Sequence, residues 1–109
     1  MTEKKKPTYD LKSIQDAAST MLVTRAALMG AAELGMTRKE IEEVVLHLTR
    51  KDFYKSVTTF ANHAVWMDVY HGKQEIEWNS EVETVTIYIK FVQDVVAEFS
   101  LTSFKEKQE

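Results

Sequence analysis

The sequence of 109 residues contains no cysteine. This absence excludes disulfides, thiolate zinc sites, iron–sulfur clusters and cysteine nucleophiles. One proline and three glycines leave little material for long loops or linkers. No stretch approaches the roughly eighteen consecutive apolar residues of a membrane span, and no apolar segment follows the polar N-terminus as it would in a signal peptide. We therefore expect a cytoplasmic protein with no membrane partner.

A positive net charge is also missing, since 17 acidic residues outnumber 14 basic ones and give a formal net charge of −3. This balance excludes a global positive field that would attract nucleic acid or a membrane surface. The acidity is nevertheless local. Residues 1–49 are balanced, and four acidic residues of the second half alternate along one segment, at Glu75, Glu77, Glu81 and Glu83. A basic site elsewhere in that half remains compatible with the composition.

The hydrophobic pattern changes character near Asp52. Residues 10–49 carry apolar residues at helical spacing, whereas residues 50–107 carry β-branched and aromatic residues at a spacing of two. Residues 1–9 are polar, and we expect them to be flexible. The sequence thus predicts one α+β domain over residues 1–109, with N-terminal helices packed on a C-terminal antiparallel sheet.

Capping signals divide the first half into three helices. Asp10 and Thr24 each precede an apolar stripe and can accept hydrogen bonds from the first helical turn. Thr37 and Glu40 match a capping box. Gly35 supplies the left-handed residue that commonly ends a helix, here the second one.

The second half predicts a meander of strands. In the clearest strand every odd position from Val85 to Phe91 is apolar and the even positions are polar or amphipathic, so one face packs on a core and the other stays open. Turns are predicted at Gly72–Lys73 and Asn79–Ser80. The predicted strands are Phe53–Thr59, Val65–His71, Glu75–Trp78, Thr84–Val92 and Val95–Thr102, with a short extended link at Thr20–Val23.

The last two strands need a pairing that keeps their apolar residues on one face. The inward residues of the final strand are Val95, Ala97, Phe99 and Leu101. A two-residue turn would place odd residues opposite even ones and spoil both faces, so a three-residue loop or a bulge is required. The predicted pairs are Ile89 with Phe99, Tyr88 with Ser100, and Lys90 with Glu98.

Metal chemistry is poorly supported by the residues. His47, His63 and His71 are well separated, and the sequence has neither a metal-binding motif nor a glycine-rich run that could cradle phosphate. The acidic segment around Glu75 and Glu77 has the pattern of a solvated hairpin. We therefore expect no metal and no cofactor.

The strands instead supply fixed cations and proton donors, at Lys55, Tyr70, Tyr88 and Lys90. Such a set suits RNA scission by the 2′-hydroxyl, because RNA then provides its own nucleophile. Lysine stabilises charge on the phosphate, tyrosine or histidine transfers protons, and aromatic side chains stack on unpaired bases.

The segment Asp52–Tyr70 resembles the MqsR family, the ribonuclease toxins of bacterial type II toxin–antitoxin pairs. It reads Asp-Phe-Tyr-Lys-Ser-x-Thr-Thr, followed by a histidine and then Trp-x-Asp-Val-Tyr. The resemblance extends, in family order, to Thr24–Leu28, Glu33–Gly35, Tyr88–Lys90 and Ser103–Lys107. It implies a RelE-like fold and a metal-independent endoribonuclease that cuts mRNA. Family members favour short GCU-type sites, and the cleavage sequence of this chain stays open. It also implies a cognate antitoxin similar to MqsA, through which alone the toxin contacts DNA.

Three family positions carry over to this sequence. The resemblance assigns Lys55 to phosphate stabilisation, Tyr88 to proton transfer or phosphate contact, and Lys105 to a second cationic contact. Candidates for RNA binding or support are Tyr54, His63, Tyr70, His71 and Lys90. The general base stays open, with His63 and His71 as the histidines within or just after the family-like segment.

The sequence departs from the family at Met67, where better-known members carry a glutamine counted among the active residues. The stretch Gly72–Thr84 is also longer and more acidic than usual. One alternative is therefore a catalytically weakened module that mainly binds its antitoxin. Another is a DNA-binding regulator built on the helices around Gly35, although Glu40 and its acidic neighbours are unlike a recognition helix.

Overall fold

The computed structural model describes residues 2–59, 61–94 and 98–107, and it confirms the α+β architecture. The helices are α1 (Leu11–Asp16), α2 (Arg25–Glu33) and α3 (Arg38–His47), followed by a 3₁₀ turn at Arg50–Asp52. The strands are β1 (Glu3–Lys4), β2 (Leu22–Val23), β3 (Phe53–Thr58), β4 (Trp66–Trp78), β5 (Glu81–Asp94) and β6 (Glu98–Glu106). None of the helices in the described part of the chain has the length and apolarity needed to cross a membrane.

The six strands form one sheet in the order β1-β3-β4-β5-β6-β2. Neighbouring strands are antiparallel except β2, which pairs in parallel with β6. The core lies between one face of this sheet and the helices. It joins helical residues to inward residues of the sheet, among them Ile14, Ala27, Ala31, Ile41, Val45, Tyr70, Ile87, Ile89, Phe91 and Phe104. The opposite, outer face carries Lys55, Tyr88 and Lys90.

The predicted helix boundaries are confirmed by their capping contacts. The side chains of Asp10 and Thr24 each accept a hydrogen bond from a backbone amide of the first turn at 3.2 Å. Thr37 and Glu40 form both hydrogen bonds of the capping box, at 3.4 and 3.0 Å. Gly35 follows α2 with a φ of +72°, the left-handed conformation that glycine adopts without strain.

One of the two predicted turns is wrong. β4 continues through Gly72–Lys73 without interruption. Gly72 is glycine for a packing reason, since a Cβ atom there would lie 2.9 Å from the Leu48 side chain at the end of α3. The turn at Asn79–Ser80 is confirmed, and both residues have the positive φ that tight hairpin turns require.

The predicted pairing of the last two strands is also wrong. Ile89 lies opposite Phe104 rather than Phe99, and Tyr88 and Lys90 lie opposite Lys105 and Ser103. The final strand begins at Glu98 and ends at Glu106, beyond the predicted limit at Thr102. Phe99 and Leu101 are buried as predicted, whereas Val95 and Ala97 lie outside the described residues.

The N-terminal segment is attached to the sheet through the buried carboxylate of Asp68. That carboxylate accepts hydrogen bonds from the backbone amides of Thr8 and Tyr9 at 2.9–3.0 Å. The Ser56 hydroxyl donates a further hydrogen bond to it at 2.6 Å. These contacts, with the pairing of β1 and β3, attach the N-terminal segment to β3 and β4, while the flexibility expected for residues 1–9 stays a prediction.

We expect Asp68→Ala to lower the free energy of unfolding by about 2–4 kcal/mol, because two backbone amides and a buried hydroxyl lose their acceptor. Urea unfolding followed by tryptophan fluorescence measures the change. The matched control is Asp16→Ala, whose exposed carboxylate lies 3.5 Å from Lys12 Nζ and contributes less than about 0.5 kcal/mol. Equal losses in the two variants would contradict the anchoring role of Asp68.

Candidate active site

Polar and aromatic residues of adjacent strands meet on the outer face of the sheet. Paired residues on adjacent strands share a face, so each set of lateral neighbours forms a row across the sheet. The first row is His71, Tyr88 and Lys105, from β4, β5 and β6; the second is Lys55, Val69, Lys90 and Ser103, from β3 to β6.

Except for the buried Val69, the residues of the two rows line an open cleft of about 470 Å³. Its walls are Tyr54, Lys55, His71, Tyr88, Lys90 and Lys105, with Ser103, Glu106 and Lys107 at the β6 end. The three residues that the family resemblance assigns to catalysis therefore border one cavity, although they come from three different strands.

A β-bulge in β6 directs Lys105 into the cleft. Thr102 is the extra residue of this bulge, and its hydroxyl lies 3.4 Å from the backbone oxygen of Lys90. Leu101 is fully buried on the core side, so Lys105, four residues later, would also face the core in an unbroken strand. The extra residue reverses this alternation, and Phe104 turns inward while Lys105 turns outward.

A second bulge, in β3, does the same for Lys55. The register shifts between Phe53 and Lys55, which leaves Tyr54 as the extra residue. Phe53 packs against the core, and strict alternation would send Lys55 to that side as well. Because of the bulge, both Tyr54 and Lys55 line the cleft.

Three aromatic rings follow one another across the cleft. Tyr54 and His71 stack with ring centroids 4.3 Å apart and planes inclined by 23°. The rings of His71 and Tyr88 lie 5.9 Å apart at 42°. We call Tyr54, His71 and Tyr88 the aromatic row. Such a row offers flat surfaces on which unpaired bases can stack.

Lysine ammonium groups surround the aromatic row. Lys55 Nζ lies 5.2 Å from the Tyr54 ring centroid, and Lys90 and Lys105 lie 5.8 and 5.6 Å from that of Tyr88. Lys5, from the N-terminal segment, lies 4.9 Å from the opposite end of the row, at Tyr54. The cleft is thus locally cationic despite the net negative charge of the chain.

The ammonium of Lys55 forms an ion pair with Glu3 of β1, at 3.1 Å. This hydrogen bond raises the pKa of Lys55 above its ordinary value and lowers the pKa of the Glu3 carboxyl. Lys55 therefore carries its charge at neutral pH. Any anion that binds Lys55 has to compete with the Glu3 carboxylate.

Burial acts on the other titratable groups of the cleft. It raises the pKa of Tyr88, with the nearby charge of Lys55 acting in the opposite direction. Burial also lowers the pKa of His71, and the charges of Lys107 and Lys55 lower it further. The pKa of Lys90 is lowered by burial and by its lysine neighbours. Tyr88 thus keeps its proton at neutral pH, whereas neutral imidazole is favoured at His71.

Two of the candidate residues lie away from the cleft. Tyr70 points into the core, where it packs edge-on against Phe53 and Phe91 and is 1% exposed. Burial raises its pKa to about 12. His63 is exposed on the segment between β3 and β4 and is not among the residues that line the cleft.

Met67 lies on the outer face, two residues before Val69 in β4, and pairs with Val57 and Val92. The position of the family glutamine therefore borders the cleft without lining it.

Residues that line the cleft but were not predicted are Ser103, Glu106 and Lys107. Only their place in the C-terminal segment that resembles the family could have indicated them. The alternation of apolar and polar residues does not predict which residues of that segment point toward the cleft.

Within residues 2–59, 61–94 and 98–107, no three histidine, aspartate or glutamate side chains group closely enough to hold a metal ion.

A family model described as "Motility quorum-sensing regulator, toxin of MqsA" matches residues 6–106. The chain belongs to the MqsR toxin family. It is 34% identical to the mRNA interferase toxin MqsR of Escherichia coli strain K12 over 107 residues, which cover 96% of this chain and 99% of that relative. The resemblance found in the sequence is thereby confirmed, while the RelE-like classification of the fold stays a prediction.

We expect Glu3→Gln to lower the pKa of Lys55 toward its ordinary value, because the substitution removes the charge that stabilises the ammonium. A ¹³C NMR titration of the lysine side chains measures the change. Glu75→Gln, on the exposed part of the β4–β5 hairpin, serves as the control and leaves Lys55 unaffected. A Lys55 pKa that is the same in both variants would show that Glu3 does not pair with it in solution.

Proposed function

We propose that this chain is the toxin of a type II toxin–antitoxin pair and an endoribonuclease that cleaves mRNA without a metal ion. The observation that carries the proposal is the convergence of Lys55, Tyr88 and Lys105 on one cleft. Membership of the MqsR toxin family supports it, since the curated relative is named an mRNA interferase toxin.

The cleft offers the groups that scission by the RNA 2′-hydroxyl requires. Attack on the phosphate builds negative charge on its oxygens, and fixed ammonium groups at Lys55 and Lys105 stabilise that charge. Tyr88, whose burial keeps it protonated, donates a proton to the departing 5′-oxygen. Tyr54, 42% exposed at the end of the aromatic row, provides a surface for an unpaired base.

The same arrangement supports the proposed metal independence of the reaction. Lysines of three strands, Lys55, Lys90 and Lys105, supply positive charge at the place where a bound metal ion would otherwise act. The nucleophile belongs to the RNA itself, so no metal-bound water has to be generated. Cleavage in the presence of a chelator is therefore part of the proposal.

The partners proposed for this chain are an mRNA and a cognate antitoxin similar to MqsA. The family description names MqsA as the partner of that toxin family. Contact with DNA then occurs only through the toxin–antitoxin complex, and the site of action is the cytoplasm, where mRNA is translated.

A second candidate function is a catalytically weakened module that mainly binds its antitoxin. The observation that favours it is Met67, which places a thioether instead of an amide on the outer face beside Val69. A DNA-binding regulator is less well supported, because α3 buries Ile41, Val44 and Val45 in the core and carries Glu40 in its first turn.

We expect Lys55→Ala to reduce cleavage of a long unstructured RNA roughly 10²–10³-fold, because one transition-state cation is lost. The initial rate of appearance of mapped cut ends, measured in EDTA, provides the readout. Lys39→Ala, an exposed lysine on α3 that does not line the cleft, is the matched control and leaves the rate unchanged.

Equal rates for wild type, Lys55→Ala and Lys39→Ala would show that the observed cleavage does not arise from this cleft. Loss of wild-type cleavage in EDTA would contradict metal independence alone. Wild-type protein that binds the antitoxin but cleaves no RNA under any of these conditions would favour the antitoxin-binding module.

A further inference from the structure

We propose that His71 accepts the proton of the attacking RNA 2′-hydroxyl, an assignment that rests on the proposed ribonuclease function. The ring occupies the middle of the aromatic row, between Tyr54 at 4.3 Å and Tyr88 at 5.9 Å. It lies on β4, on the same lateral row as Tyr88 and Lys105. An RNA phosphate held by Lys55 and Lys105 would therefore lie next to both His71 and Tyr88.

The charged groups around His71 are mostly cationic. The titratable and charged groups that face it are Tyr54 and Lys55 from β3, Tyr88 and Lys90 from β5, Lys105, Glu106 and Lys107 from the β6 segment, and Lys73 two residues along its own strand. Glu3 also lies near this site but is paired with Lys55. Positive groups therefore outnumber carboxylates around the imidazole, and a second positive charge on the ring is disfavoured.

The other groups of the cleft are poorer proton acceptors at neutral pH. Burial raises the pKa of Tyr88, and the ion pair with Glu3 raises the pKa of Lys55, so both keep their protons. The pKa of Lys90 is lowered, but from an ordinary value of 10.5. His71 starts from an ordinary pKa of 6.5, and its surroundings lower that value. Its unprotonated form is thus available at pH 7.

His71 and Tyr88 together provide both proton transfers that the cleavage step requires. The 2′-oxygen forms a bond to phosphorus and gives its proton to His71, while the bond from phosphorus to the 5′-oxygen breaks. The 5′-oxygen takes a proton from Tyr88. The products are a 2′,3′-cyclic phosphate and a 5′-hydroxyl. His71 and Tyr88 then regain their starting protonation states by exchange with water.

The test is the pH dependence of kcat/KM for cleavage of a single-stranded RNA by wild type and His71→Phe. For wild type we expect kcat/KM to rise with pH and to level off with a midpoint below 6.5. The phenyl ring keeps the stacking surface but cannot accept a proton. We expect it to lower kcat/KM roughly 10²–10⁴-fold and to abolish the midpoint. Binding of an all-2′-deoxy oligonucleotide of the same sequence stays unchanged.

A second variant distinguishes a role of His71 in proton transfer from a purely structural role. His71→Ala regains part of the lost rate when imidazole is added, because the small base enters the vacated space. His47→Phe, on the exposed surface of α3, is the control and keeps the wild-type rate and midpoint. A His71→Phe rate and midpoint equal to those of wild type, or His71→Ala without rescue, would overturn the assignment. Wild-type protein that cleaves no RNA would instead refute the proposed function.

Discussion

The alternation of side chains along a β-strand is the constraint on which the cleft depends. Successive residues of an extended strand point to opposite faces, so residues separated by an even number of positions point to the same face. One of them can face the core and the other the outer cleft only if the strand is interrupted between them. Phe53 and Lys55 of β3 are two residues apart, and Leu101 and Lys105 of β6 are four residues apart, yet in each pair the first faces the core and the second faces the cleft. Each pair is separated by one bulge, and each bulge places a lysine outward.

The core and the cleft are consequently two faces of the same strands. β4 alternates between outward Val69 and His71 and inward Tyr70, while β5 alternates between outward Tyr88 and Lys90 and inward Ile89. The packing that stabilises the fold thus also fixes the positions of the polar side chains. Each ring of the aromatic row belongs to a strand of this sheet, so the pairing of the strands sets the spacing of the rings.

The net negative charge of the chain is compatible with this cationic cleft. The alternating glutamates of the β4–β5 hairpin are exposed, and the nearest of them along a strand, Glu75, lies four residues along β4 from His71. At the rise of an extended strand this separation is roughly 13 Å, which exceeds the screening length of about 8 Å at physiological salt. The hairpin therefore contributes little to the potential that a phosphate meets at Lys55 and Lys105.

Local sequence signals were sufficient to predict the helices, the turn at Asn79–Ser80 and the outward position of Tyr88. They were insufficient for Lys105, whose outward position depends on an extra residue at Thr102 that no local pattern marks. They misassigned Gly72, which serves close packing against Leu48 instead of a turn. They also placed Tyr70 among the exposed candidates, although a phenol on an alternating strand is equally suited to a core position.

Lys55 and Lys105, brought together by two bulges, are proposed to act as one catalytic unit. A double-mutant cycle on kcat/KM for RNA cleavage measures whether they do. Residues that stabilise the same phosphate are expected to couple, so the Lys55→Ala, Lys105→Ala double variant should lose much less than the product of the two single losses. Losses that multiply, as they do for independent sites, would contradict the claim.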